Sequence, residues 1–416
     1  MSRRKKSVNT AVIVAVLLVL FMGARAKQDD ELTYAGSQLE GATYSERGPY
    51  TVGVRDLIIQ GKRPLEISLW YPAANGEGGE EVTQYPYEIK MAKPIGKFAV
   101  ATFAGRALRD VSPDLSDVPY PLVILSPGFS LGSFAYAWLA EHLASYGFVV
   151  IAPEHQEHLD PANELWRSAI ERPQDVLSVL AYVDEQTADG GVFDGLINAE
   201  RIAVIGHSYG GYTSLASAGA RINTPAFKSH CEEASASNHP AAWLCNEILP
   251  HLDDMADLAG LDETPNGLWP AWTDSRIVAI VPMAGDAFFF GQEGLAEINI
   301  PVMAIGGTKD NDAPYEWGTL PAFEHASSPR KVLISLTDAE HMIFTNPCEK
   351  IPFYLKLFSR EFCHDTDWDR KYAHELVSHF TAAFLLAELK QDLAASQALA
   401  PNNIELPGMK YEAQGY

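Results

Sequence analysis

Residues 201–211 read Arg-Ile-Ala-Val-Ile-Gly-His-Ser-Tyr-Gly-Gly. An apolar strand runs into Gly-x-Ser-x-Gly, and a small-residue helix pattern follows. Ser208 on such a turn would be a nucleophile, exposed at the sheet edge on a helix N-terminus. Glycines at 206 and 210 fit because a β-carbon would clash in so sharp a turn. A serine hydroxyl is a poor nucleophile until a base takes its proton. His341, just beyond the last apolar strand and flanked by Met342, Ile343 and Phe344, is the expected base. The imidazole in turn needs a carboxylate to fix its tautomer and stabilise its cation. Two strand ends offer one, at Asp310 and at Asp286, and Asp312 lies close to the first. Asp310 is the expected acid and Asp286 the alternative. An anionic intermediate would need two backbone N–H donors. Tyr209, the residue after the nucleophile, supplies one. Phe129, in the loop Leu125-Ser-Pro-Gly-Phe129, supplies the other, with Gly128 permitting the turn and the Phe129 ring lining an acyl pocket.

The elements that must hold these residues alternate along the chain. Residues 50–59 and 65–70 read as a β-hairpin. Apolar strands are expected at 122–125, 148–152, 201–205, 277–281, 302–305 and 331–335. Helices are expected at about 134–146, 173–185, 209–220 and 372–390. Short apolar strands alternating with helices predict an α/β fold, a mostly parallel sheet covered on both faces. The alternation breaks between 221 and 274, a segment with Cys231, Cys245, Trp243, Trp269 and Trp272. It is expected to be a helical cap over the carboxyl ends of the strands, where such sheets bind ligands. Residues 75–81 read as a loop. After about 391 the chain turns Ala/Pro/Asn-rich, and 396–416 reads as a loosely packed tail.

The first 26 residues join Arg3-Arg-Lys-Lys6, an apolar run and Ala24-Arg-Ala26, the three parts of a secretory signal. Cleavage after Ala26 is expected, leaving a catalytic domain over 27–395. An uncleaved N-terminal anchor is the alternative. The chain carries a net charge of −23, and the leader holds five cations and no acids, so its removal leaves −28. That charge repels phosphate backbones and excludes nucleic acid as a partner. Export permits disulfides. The four cysteines pair most locally as Cys231–Cys245 and Cys348–Cys363. Their spacings do not match a zinc site. Glu154-His-Gln-Glu-His158 looks metal-like, but its place after a strand favours hydrogen bonding at the pocket wall. Asp365, Asp367 and Asp369 alternate as in a calcium loop, yet the glycine and terminal glutamate are missing, so helix capping is expected. No cofactor is expected. Phe288-Phe-Phe290 is either core or a patch beside the acyl pocket.

Three segments carry a family resemblance: Tyr120-Pro-Leu-Val-Ile-Leu-Ser-Pro-Gly-Phe129, Leu143-Ala-Ser-Tyr-Gly-Phe-Val-Val-Ile-Ala-Pro-Glu-His155 and Ile205-Gly-His-Ser-Tyr-Gly-Gly211. Over residues 45–390 the chain resembles the predicted dienelactone-hydrolase-like group of the α/β-hydrolase superfamily. That group is related to plasma-type platelet-activating-factor acetylhydrolases and cutinase-like polyesterases. The resemblance implies an α/β-hydrolase fold and a serine esterase or lipase acting on short acyl esters. In the polyesterases the acid ends the later strand, matching Asp310 in Asp-x-x-Ala-Pro. In the acetylhydrolases it ends the earlier one, matching Asp286, so both positions stay open. True dienelactone hydrolases use a cysteine where this chain has Ser208, which argues against that activity. The expected partner is a small or lipid-like ester, with no stable membrane anchor once the leader is gone. A non-catalytic binding protein on the same fold is the alternative of another class.

Overall fold

The computed structural model describes residues 42–74, 82–346, 368–404 and 406–416. The expected leader, the 75–81 loop, the Cys348–Cys363 pair, Asp365 and Asp367 fall outside them. Residues from Ser37 onward form one compact unit.

Among the described residues eleven strands, numbered β1 to β11 along the chain, build one sheet in the order β11-β10-β9-β8-β7-β5-β6-β2-β1-β4-β3. The expected hairpin is β1 (Thr51–Ile59) and β2 (Leu65–Ala73), paired antiparallel from Thr51↔Ala73 to Ile59↔Leu65. The parallel centre consists of β5 (Tyr120–Ser126), β6 (Val149–Pro153), β7 (Ile197–His207), β8 (Ile277–Met283), β9 (Val302–Gly307) and β10 (Lys331–Leu336). Their apolar runs are buried on both faces, as parallel strands require. Leu122 and Ile124 enter the core on one face, Val123 and Leu125 the core on the other. The first core is closed by helices α2 (Pro161–Thr187), α3 (Tyr209–Ser217), α4 (Thr224–Ala236), α5 (Ala242–Ile248), α6 (Leu252–Leu258), α7 (Gly291–Leu295) and α8 (Thr319–His325). The second is closed by α1 (Ala137–Ser145), α9 (Arg370–Lys390) and α10 (Leu393–Ala398). The Asp369 side chain accepts from the Lys371 N–H and caps α9. Among the described residues no helix is long and apolar enough to cross a membrane.

Three elements differ from the sequence reading. A second hairpin, β3 (Val82–Met91) and β4 (Gly96–Arg109), extends the sheet beyond β1. Pro86 and Gly105 interrupt its β pattern, and register shifts break its pairing. Second, α2 starts at Pro161 rather than at 173. Leu165, Ala169 and Ile170 continue the buried stripe of Val176, Val179 and Val183. Pro173 has no N–H for the Ala169 carbonyl, and the Tyr212 hydroxyl donates to it at 2.7 Å instead. Third, the C-terminal end is not a loose tail. Met409–Gln414 is β11, paired antiparallel with β10 from Lys331↔Gln414 to Leu336↔Met409, so it covers an otherwise open sheet edge.

The 221–274 segment folds as α4, α5 and α6, with Cys231–Cys245 joining the first two. α5 and α6 pack on α2. α4 meets the loops after β8 and β9 through Phe227–Phe288 (centroids 5.8 Å) and His230–Trp317 (4.4 Å).

Candidate active site

Ser208 lies between the end of β7 and the start of α3, with φ 57° and ψ −125°. A non-glycine residue held there is strained, a feature that clusters at functional sites. The two glycines are sterically required. A β-carbon on Gly206 would lie 2.3 Å from the Gly210 carbonyl oxygen, and one on Gly210 only 1.9 Å from that of Ser126. Ser208 is half-buried, whereas the residues around it on β7 and α3 are buried.

His341 opens the turn after β10, and its Nε2 lies 2.8 Å from Ser208 Oγ. Its Nδ1 lies 2.6 Å from Asp310 Oδ2. Asp310 follows β9, which pairs with β10 in parallel up to Gly307↔Leu336, so adjacent strand ends deliver the two side chains to each other. The other Asp310 oxygen accepts from the N–H groups of Asp312 (2.9 Å) and Ala313 (2.8 Å), which fixes the carboxylate. A carboxylate only accepts, so Nδ1 carries a proton, and in the neutral ring Nε2 faces the serine as an acceptor. Burial alone would disfavour the His341 cation. The charge and hydrogen bond of Asp310, with Asp312 and Asp286 behind it, outweigh that and raise it to about 9.

Asp286 sits in the loop after β8, buried, with Oδ1 lacking a hydrogen-bond partner among the described residues. Burial, reinforced by Asp310 and Asp312 against the pull of His341, raises its carboxyl to about 7. The carboxylate hydrogen-bonded to His341 is therefore Asp310.

Tyr209 is the first residue of α3, where an N–H has no partner within the helix. The loop carrying Phe129 lies beside it, the Phe129 and Tyr209 rings meeting edge to face at 6.0 Å. A buried ion pair holds this loop. Arg172 Nη1 donates to the Pro127 carbonyl at 2.7 Å, and Nη2 donates to the Gly128 carbonyl at 3.1 Å and to Glu157 at 2.6 Å. Glu157 also accepts from the Ser130 N–H at 3.1 Å. Arg172, Lys90 and His155 hold the Glu157 carboxyl far below its usual range although burial opposes them. Sequence reasoning missed Arg172; a charged residue on the buried stripe of α2 was the available signal.

The metal-like segment holds hydrogen bonds of another kind. His155 Nε2 lies 2.9 Å from Ser126 Oγ, and its Nδ1 lies 2.8 Å from Asp175 on α2. Arg63 pairs with the same carboxylate. Ser126, His155 and Asp175 are all buried. Among the described residues no His/Cys/Asp/Glu group is arranged to hold a metal. Phe289 is core, packed on Tyr212 and Phe227.

Residues 112–240, which include Ser208 and Phe129, match the PET hydrolase-like family model. Residues 35–175 match platelet-activating factor acetylhydrolase, isoform II. The chain is 29% identical over 211 residues to a bis(hydroxyethyl) terephthalate hydrolase of Streptomyces coelicolor, covering 51% of this chain and 54% of that protein. It is 24% identical over 221 residues to the platelet-activating factor acetylhydrolase of Cavia porcellus, covering 40% and 50%. Over 96 residues it is 34% identical to cutinase est2 of Thermobifida alba, covering 23% and 29%. The chain thus spans about half the length, or less, of the curated relatives it matches. Its parallel sheet, its nucleophile-type turn and these matches make it an α/β-hydrolase-fold protein that resembles the PET hydrolase-like and platelet-activating factor acetylhydrolase families.

Proposed function

We propose that the chain is a serine carboxylic-ester hydrolase acting on short acyl esters. The carrying observation is the unbroken line from Ser208 Oγ through His341 to Asp310, set on a strained and accessible turn. In this reading His341 Nε2 takes the Ser208 proton as Oγ bonds to the ester carbonyl carbon. The N–H groups of Phe129 and Tyr209 hold the resulting oxyanion, and Asp310 stabilises the imidazolium. The tetrahedral intermediate collapses, and Nε2–H protonates the leaving alcohol. Water, deprotonated by His341, then attacks the acyl-enzyme and releases the acid. Only groups of this chain and water take part.

The relatives' names, a terephthalate ester hydrolase, an acetylhydrolase and cutinases, support small or polymeric esters with short acyl groups as substrates. The 221–274 segment is read as a cap because it touches the loops after β8 and β9. Export is supported by the leader-like first 26 residues and by the Cys231–Cys245 disulfide.

The test is Ser208→Ala beside wild type. The variant should fold normally, lose p-nitrophenyl butyrate hydrolysis and lose labelling by a fluorophosphonate probe. Substantial residual turnover would overturn the assignment, and a wild-type chain that neither labels nor hydrolyses would be a binding protein. An acyl-chain-length series on wild type would report the pocket.

A further inference from the structure

The His207 imidazole makes two bonds that the reaction scheme does not use. His207 Nε2 lies 2.9 Å from the His341 carbonyl oxygen. Its Nδ1 lies 2.8 Å from the Tyr136 hydroxyl, and the Gly128 N–H donates to that hydroxyl at 3.1 Å. Each bond has only one possible direction. A carbonyl cannot donate, so His207 Nε2 carries the proton. Nδ1 of the neutral ring is then an acceptor, so Tyr136 O–H donates to it, and the same oxygen accepts from Gly128. His207 and Tyr136 have no solvent exposure. Burial, with His341 and Arg370 nearby, keeps the His207 cation strongly disfavoured, in agreement with a single neutral tautomer.

This chain of bonds spans three separate loops. Gly128 belongs to the turn before Phe129, His207 directly precedes Ser208, and the carbonyl belongs to the residue whose ring faces Ser208. We infer that Tyr136 and His207 are positioning residues, forming a buried tether that fixes the oxyanion loop and the base loop on opposite sides of the nucleophile. The inference rests on the esterase reading above. Its physical basis is that donors and base must both be held to a fraction of an ångström, since a 1 Å misplacement costs about 100-fold in rate. The ladder bonds of the strands end before these loops, and the tether acts where the sheet no longer can. Arg172 and Glu157 bond to the oxyanion loop. Asn346, after the base loop, bonds to the Phe134 and Ala135 carbonyls farther along the chain; the tether is the link that passes through the residue beside Ser208.

Tyr136→Phe keeps the ring, removes the donor to His207 Nδ1 and leaves the Gly128 N–H without its acceptor. His207→Gln can still donate to the His341 carbonyl but loses Tyr136, whereas His207→Asn keeps an acceptor near Tyr136 and loses the carbonyl. The experiment measures kcat and KM on p-nitrophenyl butyrate for these variants, with active sites counted by fluorophosphonate labelling and melting temperature followed in parallel. Tyr136→Phe should lower kcat per labelled site about 10- to 100-fold with KM within about two-fold. His207→Gln should retain more of kcat than His207→Asn, because the base loop stays tied. Tyr136→Phe combined with His207→Gln should lose no more than the worse single variant, because both cut one tether. The NMR resonance of the His341 Nδ1 proton should move in each variant. The inference fails if Tyr136→Phe and His207→Gln both keep kcat within two-fold of wild type while Ser208→Ala is inactive. It also fails if kcat losses simply add, or if the His341 proton stays in place. An active Ser208→Ala would instead remove the underlying esterase reading.

Discussion

Two Ser-His-Asp relays with the same hydrogen-bond order lie among the described residues. One runs Ser208–His341–Asp310 at 2.8 and 2.6 Å, the other Ser126–His155–Asp175 at 2.9 and 2.8 Å. In both, the carboxylate fixes the proton on Nδ1 and the serine hydroxyl faces Nε2. Two things separate them. Ser208 sits on a strained turn and is half-buried, whereas Ser126 is the last residue of β5 and fully buried. The field on the imidazole also differs. Burial disfavours both cations, but Asp310, Asp312 and Asp286 overturn it at His341, whereas Arg172 adds to it at His155 and depresses that ring. A general base must accept and hold a proton during the reaction. Hydrogen-bond order is therefore shared by the two relays, and the proposed function places the chemistry at the one with access and a net anionic surrounding.

The two serines give the largest expected contrast. Ser208→Ala should cut ester turnover by about 10⁴-fold or more. Ser126→Ala should keep turnover within about three-fold and cost about 1 kcal/mol of stability for one lost buried hydrogen bond. Parallel turnover and denaturant-unfolding measurements decide it. Comparable rate losses in both variants would erase the distinction between the relays.

The acids come next. Asp310→Asn should lower kcat by about 10⁴-fold by fixing the wrong tautomer, and leave the fold intact. Asp286→Asn, whose carboxyl does not bond to the imidazole, should have much the smaller effect. Asp175→Asn should behave in the opposite way. It strips His155 of its anionic partner and leaves Arg63 with Glu171, at a cost of about 2 kcal/mol in stability for the lost buried hydrogen bond to a charged group, with turnover per labelled site preserved. Full activity in Asp310→Asn would break the comparison on the reactive side.

The Ser208–His341–Asp310 relay, reactive in the proposed function, was legible in the sequence, and the sealed one was not. Gly206-x-Ser208-x-Gly210 announces itself because a tight turn demands glycines at fixed offsets, and His341 lies directly after an apolar strand. Asp310 could not be separated from Asp286, since two adjacent strand ends each offer a carboxylate. The choice rests on which loop curls its side chain toward Nδ1. Ser126, His155 and Asp175 come from a strand end, a loop and the middle of a helix that Pro173 seemed to begin. Tyr136 and Arg172 were hidden likewise, as a tyrosine and an arginine within buried helical surfaces. The central strands were readable from continuous apolar runs. The β3–β4 hairpin and β11 were not: Met409–Gln414 does alternate, but it is short and only half-buried, and its pairing is settled by a distant partner, while Pro86 and Gly105 interrupt the hairpin.

A smaller effect tests the fields directly. His341 acts as a base only when neutral, so kcat/KM should rise with pH through a limb centred near 9. Asp310→Asn should move that limb to lower pH. The same shift has a stability sign. The cation is favoured in the folded state, so the His341–Asp310 pair contributes fully below the unfolded value of about 6.5 and loses that contribution as pH rises through 9. Unfolding midpoints at pH 6 and pH 10 should therefore fall further in wild type than in Asp310→Asn. A rate limb below pH 6 in wild type would contradict the anionic surrounding of this ring.

The smallest effect on chemistry is expected from the disulfide, which lies with neither relay. Cys231 and Cys245 are 14 residues apart and join α4 to α5. Closing a loop of that length constrains the unfolded chain by about 3 kcal/mol. Replacing both cysteines by serine should therefore lower the melting temperature. The route from this bond to Ser208 is indirect, passing from α4 to Phe288 and Trp317 in the loops after β8 and β9. Among the described residues the ring contacts of α4 go to Phe288, Phe289 and Trp317 rather than to His341 or Phe129. The double variant should thus keep kcat on p-nitrophenyl acetate within about two-fold, because the reacting groups stay in place. KM should rise for longer acyl chains, where a loosened cap would be felt. A loss of kcat as large as that of Asp310→Asn would mean that the cap orders the relay itself, and that access and chemistry at Ser208 are one structural unit.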